Sequence, residues 1–93
     1  MSLKVSMYIT AYCPYCNMAE RLLLAKGVCD IDKIRVDLDP ALRAEMMKRT
    51  RRRTVPQIYI AGVPVGGYDD LAKLDKAGEL DKILSGERAP TSI

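Results

Sequence analysis

Hydrophobic and polar positions along the chain alternate between two periods. Val5-Ser6-Met7-Tyr8-Ile9 is a short run of β-forming residues, and the period changes after Thr10-Ala11-Tyr12, so a first strand is expected to stop there. From Pro14 to Lys26 the apolar residues Cys16, Ala19, Leu22, Leu23 and Ala25 recur at helical spacing. Pro14 suits a first helical turn, and Gly27 suits the position just past the end. Asp30 to Leu38 sets Ile31, Ile34, Val36 and Leu38 among Asp32, Arg35 and Asp37, an imperfect alternation that predicts a second strand. Asp39-Pro40 caps a helical stretch ending near Arg51, with Leu42, Met46 and Met47 on its apolar face. Val55 to Ile60 and Val63-Pro64-Val65 flank Ala61-Gly62 as a hairpin, and Pro64 places its strand at an edge or at a strand start. Leu71, Leu74 and Ala77 predict a third helix with acidic residues in its first turn, and Leu80, Ile83 and Leu84 a last short one. The order is βαβ, helix, hairpin, helix: a mixed sheet, parallel within the βαβ unit and antiparallel in the hairpin.

Length and composition limit what such a sheet can be part of. At 93 residues the chain is expected to be a single domain over 1–93, with its core at about 4–84 and a polar tail over 87–93. With 48% hydrophobic and 29% charged residues, it reads as an ordinary globule, and no membrane association is expected. Met1-Ser2-Leu3-Lys4 leads straight into the first strand without the apolar stretch of a secretory signal, so a cytoplasmic location is expected. The net charge of +3 is mild, and no nucleic-acid partner is expected.

The chemistry is narrowed by what is missing. With no histidine, the Cys–His and Ser–His pairs and the commonest metal ligand are excluded. Three cysteines, Cys13, Cys16 and Cys29, are too few for a disulfide-stapled scaffold. Cys13-Pro14-Tyr15-Cys16 lies where the first strand gives way to the first helix. There the free N–H groups and the positive end of the helix dipole favour a thiolate at Cys13. Cys16, one turn on, returns to the same face and can resolve a mixed disulfide on Cys13. A closed zinc site would need four ligands, and one further cysteine does not supply them, so no metal site is expected. A pair of buried, inert cysteines is the other reading of the spacing; Pro14 at a strand-to-helix junction favours the redox one. Cys29, with no such partner, reads as buried filler or an incidental surface thiol.

Cys13-Pro14-Tyr15-Cys16, Thr54-Val55-Pro56 and Gly66-Gly67-Tyr68-Asp69-Asp70, in this order and spacing, resemble the three signatures of dithiol glutaredoxins, most similar to the bacterial glutaredoxin 3 type. The resemblance runs from about Lys4 to Leu84. It implies an α/β thioredoxin fold, a four-stranded mixed sheet flanked by helices. It implies glutathione as co-substrate, with Cys13 and Cys16 catalytic. It also implies a cis Pro56 beside the dithiol, and a Val55 backbone that pairs with the cysteine of glutathione like an added strand. Thr10, Thr54, Tyr15 and Gly67 belong to the same implied glutathione site. The N–H groups of Tyr68 and Asp69 suit the γ-glutamyl carboxylate, and Asp69 and Asp70 its amino group. Among the basic run Lys48-Arg49 and Arg51-Arg52-Arg53, Arg53 or Arg52 lies near enough to Thr54-Val55-Pro56 to bind the glycyl carboxylate; Arg53 adjoins it.

Two departures stand out. Relatives often carry a lysine three residues before the first cysteine, where this chain has Thr10, so the Cys13 thiolate is expected to depend mainly on the helix end. Tyr68 stands where some relatives have a third cysteine. The expected activity is reduction of protein disulfides and glutathione mixed disulfides, by a monomer that draws on glutathione reductase only through glutathione. The alternatives are a redoxin reduced by thioredoxin reductase and a dimeric iron–sulfur carrier in which each protomer gives Cys13 and one glutathione.

Overall fold

The structure of the chain, a computed structural model, describes residues 3–92. Four strands, β1 (Val5–Ile9), β2 (Ile31–Arg35), β3 (Gln57–Ile60) and β4 (Val63–Gly66), are joined by helices α1 (Pro14–Ala25) and α2 (Pro40–Thr50) and followed by α3 (Tyr68–Lys76) and α4 (Glu79–Leu84). The strands lie in the order β2-β1-β3-β4. β1 pairs with β2 in parallel and with β3 antiparallel, and β3 with β4 antiparallel, which is the expected mixed sheet.

Strand alternation divides the interior in two. Val5 and Met7 on β1 and Ile58 and Ile60 on β3 face one way, onto Ala19 and Leu23 of α1, Leu71 of α3 and Leu80 and Ile83 of α4. Tyr8 and Tyr59, the alternate residues, face the other way with Val36, onto Met46 of α2. Their rings meet edge to face at 5.6 Å, and the Arg49 guanidinium lies over Tyr59 at 4.4 Å. A βαβ unit with its helix on one face and a second helix on the other puts the C-terminal ends of β1 and β2 beside the start of α1.

Departures from the sequence reading have local causes. α1 ends at Ala25, because the Lys26 N–H turns back to the carbonyls of Leu22, Leu23 and Leu24. The second strand is shorter than 30–38. Val36 still donates to the Ile9 carbonyl, but Asp37 is drawn away to Arg35 and to the Ala11 N–H, and Leu38 ends 71% exposed. β3 starts at Gln57 rather than Val55, following the cis Val55–Pro56 bond. In the hairpin turn both Ala61 and Gly62 have positive φ, as the mirror-image two-residue turns of hairpins require. Pro64 sits on the outermost strand, where its missing N–H leaves no ladder bond unmade. The tail at 87–93 reads from the sequence as polar, with no visible partner face. Within its described part, Arg88 instead donates its N–H to the Lys82 carbonyl and its guanidinium to Glu79.

Candidate active site

Cys13 is the N-cap of α1, with extended backbone, and its Sγ accepts the Cys16 N–H at 3.1 Å. Its carbonyl accepts the Asn17 N–H, which opens the helix ladder. Cys13 and Cys16 are joined as a disulfide, their Cα atoms 5.1 Å apart, and both are buried. No acidic residue stands in the first turn of α1, so nothing there offsets the positive helix end. The Cys16 N–H aimed at the Cys13 sulfur in the disulfide is the kind of bond that most directly stabilises a thiolate.

A groove of about 310 Å³ reaches Tyr15, which lies between the two cysteines in sequence, with neither cysteine in its lining. It is lined by Tyr15, by Arg52 and the Thr54-Val55-Pro56 segment, and by Gly67, Tyr68, Asp69 and Asp70 at the start of α3. Tyr15 and Tyr68 face each other at 6.2 Å between ring centroids. The N–H and C=O of Val55 make no hydrogen bond among the described residues, so this short stretch of backbone is free to pair with another chain. The loop is held from below by Gln57, which is buried and donates from Nε2 to the Thr54 carbonyl at 2.9 Å.

The start of α3 is built differently from that of α1. The Asp70 carboxylate accepts the Gly67 N–H at 3.0 Å and the Arg52 guanidinium at 2.6 Å through the same oxygen. Burial pushes the Asp70 carboxyl up, but Arg52 and the Gly67 N–H outweigh it and hold it below its ordinary value. Gly66 is required here for two reasons. Its φ is +108°, and a Cβ would lie 2.6 Å from the Asp70 Cγ. The space beside Gly66 thus holds the Asp70 side chain rather than a ligand.

Eight of the ten expected binding residues therefore line one groove, and two do not. Thr10 faces a smaller crease, about 130 Å³, on the Cys16 side, with Asn17 and Arg35. Arg53 is exposed outside the groove, where its carbonyl accepts from Arg43; Arg52, the other arginine considered, occupies the wall. Gln57 and Asp37 were not singled out from the sequence. A glutamine inside an otherwise apolar β run was the available sign for the first; for Asp37 the nearby Arg35 was a local sign of an ion pair, but the Ala11 N–H is brought to it only by the pairing of β1 with β2. Cys29 is exposed, and its thiol is directed at the Gly27 carbonyl. No three His, Cys, Asp or Glu side chains gather to hold a metal among the described residues, and no described helix is long and apolar enough to cross a membrane.

A redox-active cysteine pair at a helix start, with a cis proline just before the third strand of a four-stranded mixed sheet, defines a thiol–disulfide oxidoreductase of the thioredoxin fold. The glutaredoxin family model matches residues 5–65, and the chain belongs to that family. It is 51% identical over 81 residues to a glutaredoxin of Neisseria meningitidis serogroup A, covering 87% of this chain and 95% of that one. To glutaredoxin 3 of Escherichia coli K12 it is 46% identical over 80 residues, 86% and 95% of the two chains. Among solved structures, a Brucella melitensis glutaredoxin matches with TM-score 0.80 and 42% identity, over 94% of each chain. A buckwheat glutaredoxin–glutathione complex matches with TM-score 0.82 and 26% identity, over 90% of this chain and 78% of that one.

Proposed function

We propose that the chain is a glutathione-dependent oxidoreductase that reduces glutathione mixed disulfides and protein disulfides. The observation that carries this reading is the position of the Cys13–Cys16 disulfide at the unneutralised start of α1, next to a groove with a free Val55 backbone and a second helix start. Glutathione has the matching parts. Its cysteine backbone pairs with Val55, its γ-glutamyl carboxylate meets the N–H groups of Tyr68 and Asp69, its amino group meets Asp69, and its glycyl carboxylate meets Arg52. The buckwheat relative, solved as a glutathione complex, supports this choice of ligand.

In the glutathione cycle the Cys13 thiolate attacks the glutathione sulfur of a mixed disulfide. A Cys13–glutathione bond forms, the substrate sulfur leaves as a thiolate and is protonated by solvent. A second glutathione thiolate attacks the bound one, releasing glutathione disulfide and restoring the Cys13 thiolate. With a protein disulfide, the Cys13 thiolate attacks one protein sulfur, the S–S bond breaks and the other sulfur leaves as a thiolate protonated by solvent; Cys16, having given up its proton, then attacks Cys13. The bond to the protein breaks, the reduced protein leaves, and the Cys13–Cys16 disulfide remains for two glutathione molecules to reduce. Glutathione reductase then takes part only by recycling glutathione disulfide. The working unit is a monomer in the cytoplasm, with disulfide-bearing or glutathionylated proteins as partners.

The test is NADPH consumption with a small glutathione mixed disulfide, coupled through glutathione and glutathione reductase or, separately, through thioredoxin reductase. Turnover is expected with glutathione, abolished by Cys13→Ser; Cys16→Ser is expected to retain it while losing most reduction of protein disulfides. Turnover only with thioredoxin reductase, or activity surviving Cys13→Ser, would overturn the reading.

A further inference from the structure

Three consecutive arginines precede the groove loop, and the structure treats them unequally. Arg51 and Arg53 are exposed and form no ion pair among the described residues. Arg52 is fixed at both ends: its N–H donates to the hydroxyl of the buried Thr50 at 3.1 Å, and its Nη1 donates to Asp70 at 2.6 Å. Asp70 is fixed in turn, since the oxygen that takes Arg52 also takes the Gly67 N–H, and the side chain fills the space left by Gly66. A guanidinium has five N–H donors in a rigid fork, and this contact uses one of them.

We propose that Asp70 is a positioning residue, which selects Arg52 from the arginine run and holds its guanidinium on the groove wall with its remaining donors free for a carboxylate on the bound thiol. This rests on the reading that glutathione occupies the groove. It removes Asp70 from the groups that bind the ligand's amino end and leaves Asp69 there. The pair then works as a selectivity element: it favours thiol ligands that end in a carboxylate beside Arg52 over the same ligands with that carboxylate masked. An Arg52 without its partner would have to give up rotamer freedom at each binding event, and preorganisation avoids that cost.

Asp70→Asn separates the roles, because the amide oxygen still accepts the Gly67 N–H while the charge that holds Arg52 is gone. Steady-state kinetics are measured with glutathione and with glutathione esterified at its glycyl carboxylate, for wild type, Asp70→Asn, Arg52→Gln and the double variant. The expected result is a rise of about five- to tenfold in KM for glutathione in Asp70→Asn, read in KM rather than kcat. The ester is expected to show the same KM with wild type and Asp70→Asn, and the double variant to be no worse than Arg52→Gln. An equal rise for both ligands, an unchanged KM, or a lower KM for glutathione would each overturn the proposal, the last by making Asp70 a competitor for Arg52. Wild type with no turnover on either ligand removes the glutathione reading itself, and the wild-type arm alone reports that.

Discussion

The groove lies between two helix starts that use the same physics for opposite ends. At α1 the cap is a thiol: Cys13 takes the Cys16 N–H, and the first turn carries no acid. At α3 the cap residue is Gly67, which has no side chain, and its N–H is served by Asp70 from three residues further on, with Asp69 beside it. The first start keeps its positive field unspent for a sulfur that must ionise. The second consumes most of its field on its own carboxylates, which makes it rigid and leaves selected N–H groups for a ligand. Reactivity and recognition are thus separated by whether a helix start is allowed to neutralise itself.

The contrast can be broken most severely at Gly66. Gly66→Ala forces a side chain into a φ of +108° and into the Asp70 carboxylate, so it is expected to cost about 3 kcal/mol, strain and lost cap together. Gly27→Ala, just past the end of α1, has positive φ but open space around it, and about 1 kcal/mol is expected. Urea unfolding of the two variants measures the difference directly, and equal losses would mean that the Asp70 packing contributes nothing.

A smaller effect follows from spoiling the open start. Asn17→Asp places a carboxylate near the first turn of α1 and is expected to raise the Cys13 pKa by about half a unit. Thr10→Lys adds a positive charge in the crease beside Cys16 and is expected to lower it by a similar amount. The pH dependence of iodoacetamide alkylation of reduced protein, on a Cys16→Ser, Cys29→Ser background, reads both shifts. A Cys13 pKa that ignores both substitutions would show that the local Cys16 N–H, and not the helix field, controls the thiolate.

The resemblance between this chain and its family was written in short local motifs, and those were legible. β1 was bounded to the residue by its run of β-formers, and the hairpin, α3 and α4 fell where apolar spacing placed them. Eight groove residues followed from the three signatures. What escaped was set by contacts distant in sequence. Arg52 and Arg53 are indistinguishable within Arg51-Arg52-Arg53, and the choice between them is made by Asp70, 18 residues away. Leu38 looked like the last inward residue of a strand. It is exposed because Asp37 leaves the strand to bind Arg35 and, 26 residues back, the Ala11 N–H.

That Asp37 contact supports the loop leading into Cys13, and it gives the smallest of the expected effects. Arg35, with help from the Ala11 N–H, holds the Asp37 carboxyl down at about 2. A depressed carboxyl stabilises the fold above its unfolded pKa, near pH 4, and that contribution is lost as pH falls through about 2. Wild type is therefore expected to be slightly more stable than Asp37→Asn at neutral pH, with the two curves converging between about pH 4 and pH 2. Thermal unfolding across that range checks it, and a gap that persists at pH 2 would assign the difference to something other than charge.

The sheet also decides where another polypeptide is able to join. Both outer strands resist it: β2 is five residues long and carries Asp32, Lys33 and Arg35, and β4 carries Pro64, which lacks a donor. The backbone of Val55, just before Pro56 and unpaired among the described residues, is left open. The sheet is thereby guarded against fibre-like stacking along its edges, while among the described residues Val55 keeps a short stretch of backbone open to a foreign chain beside the groove.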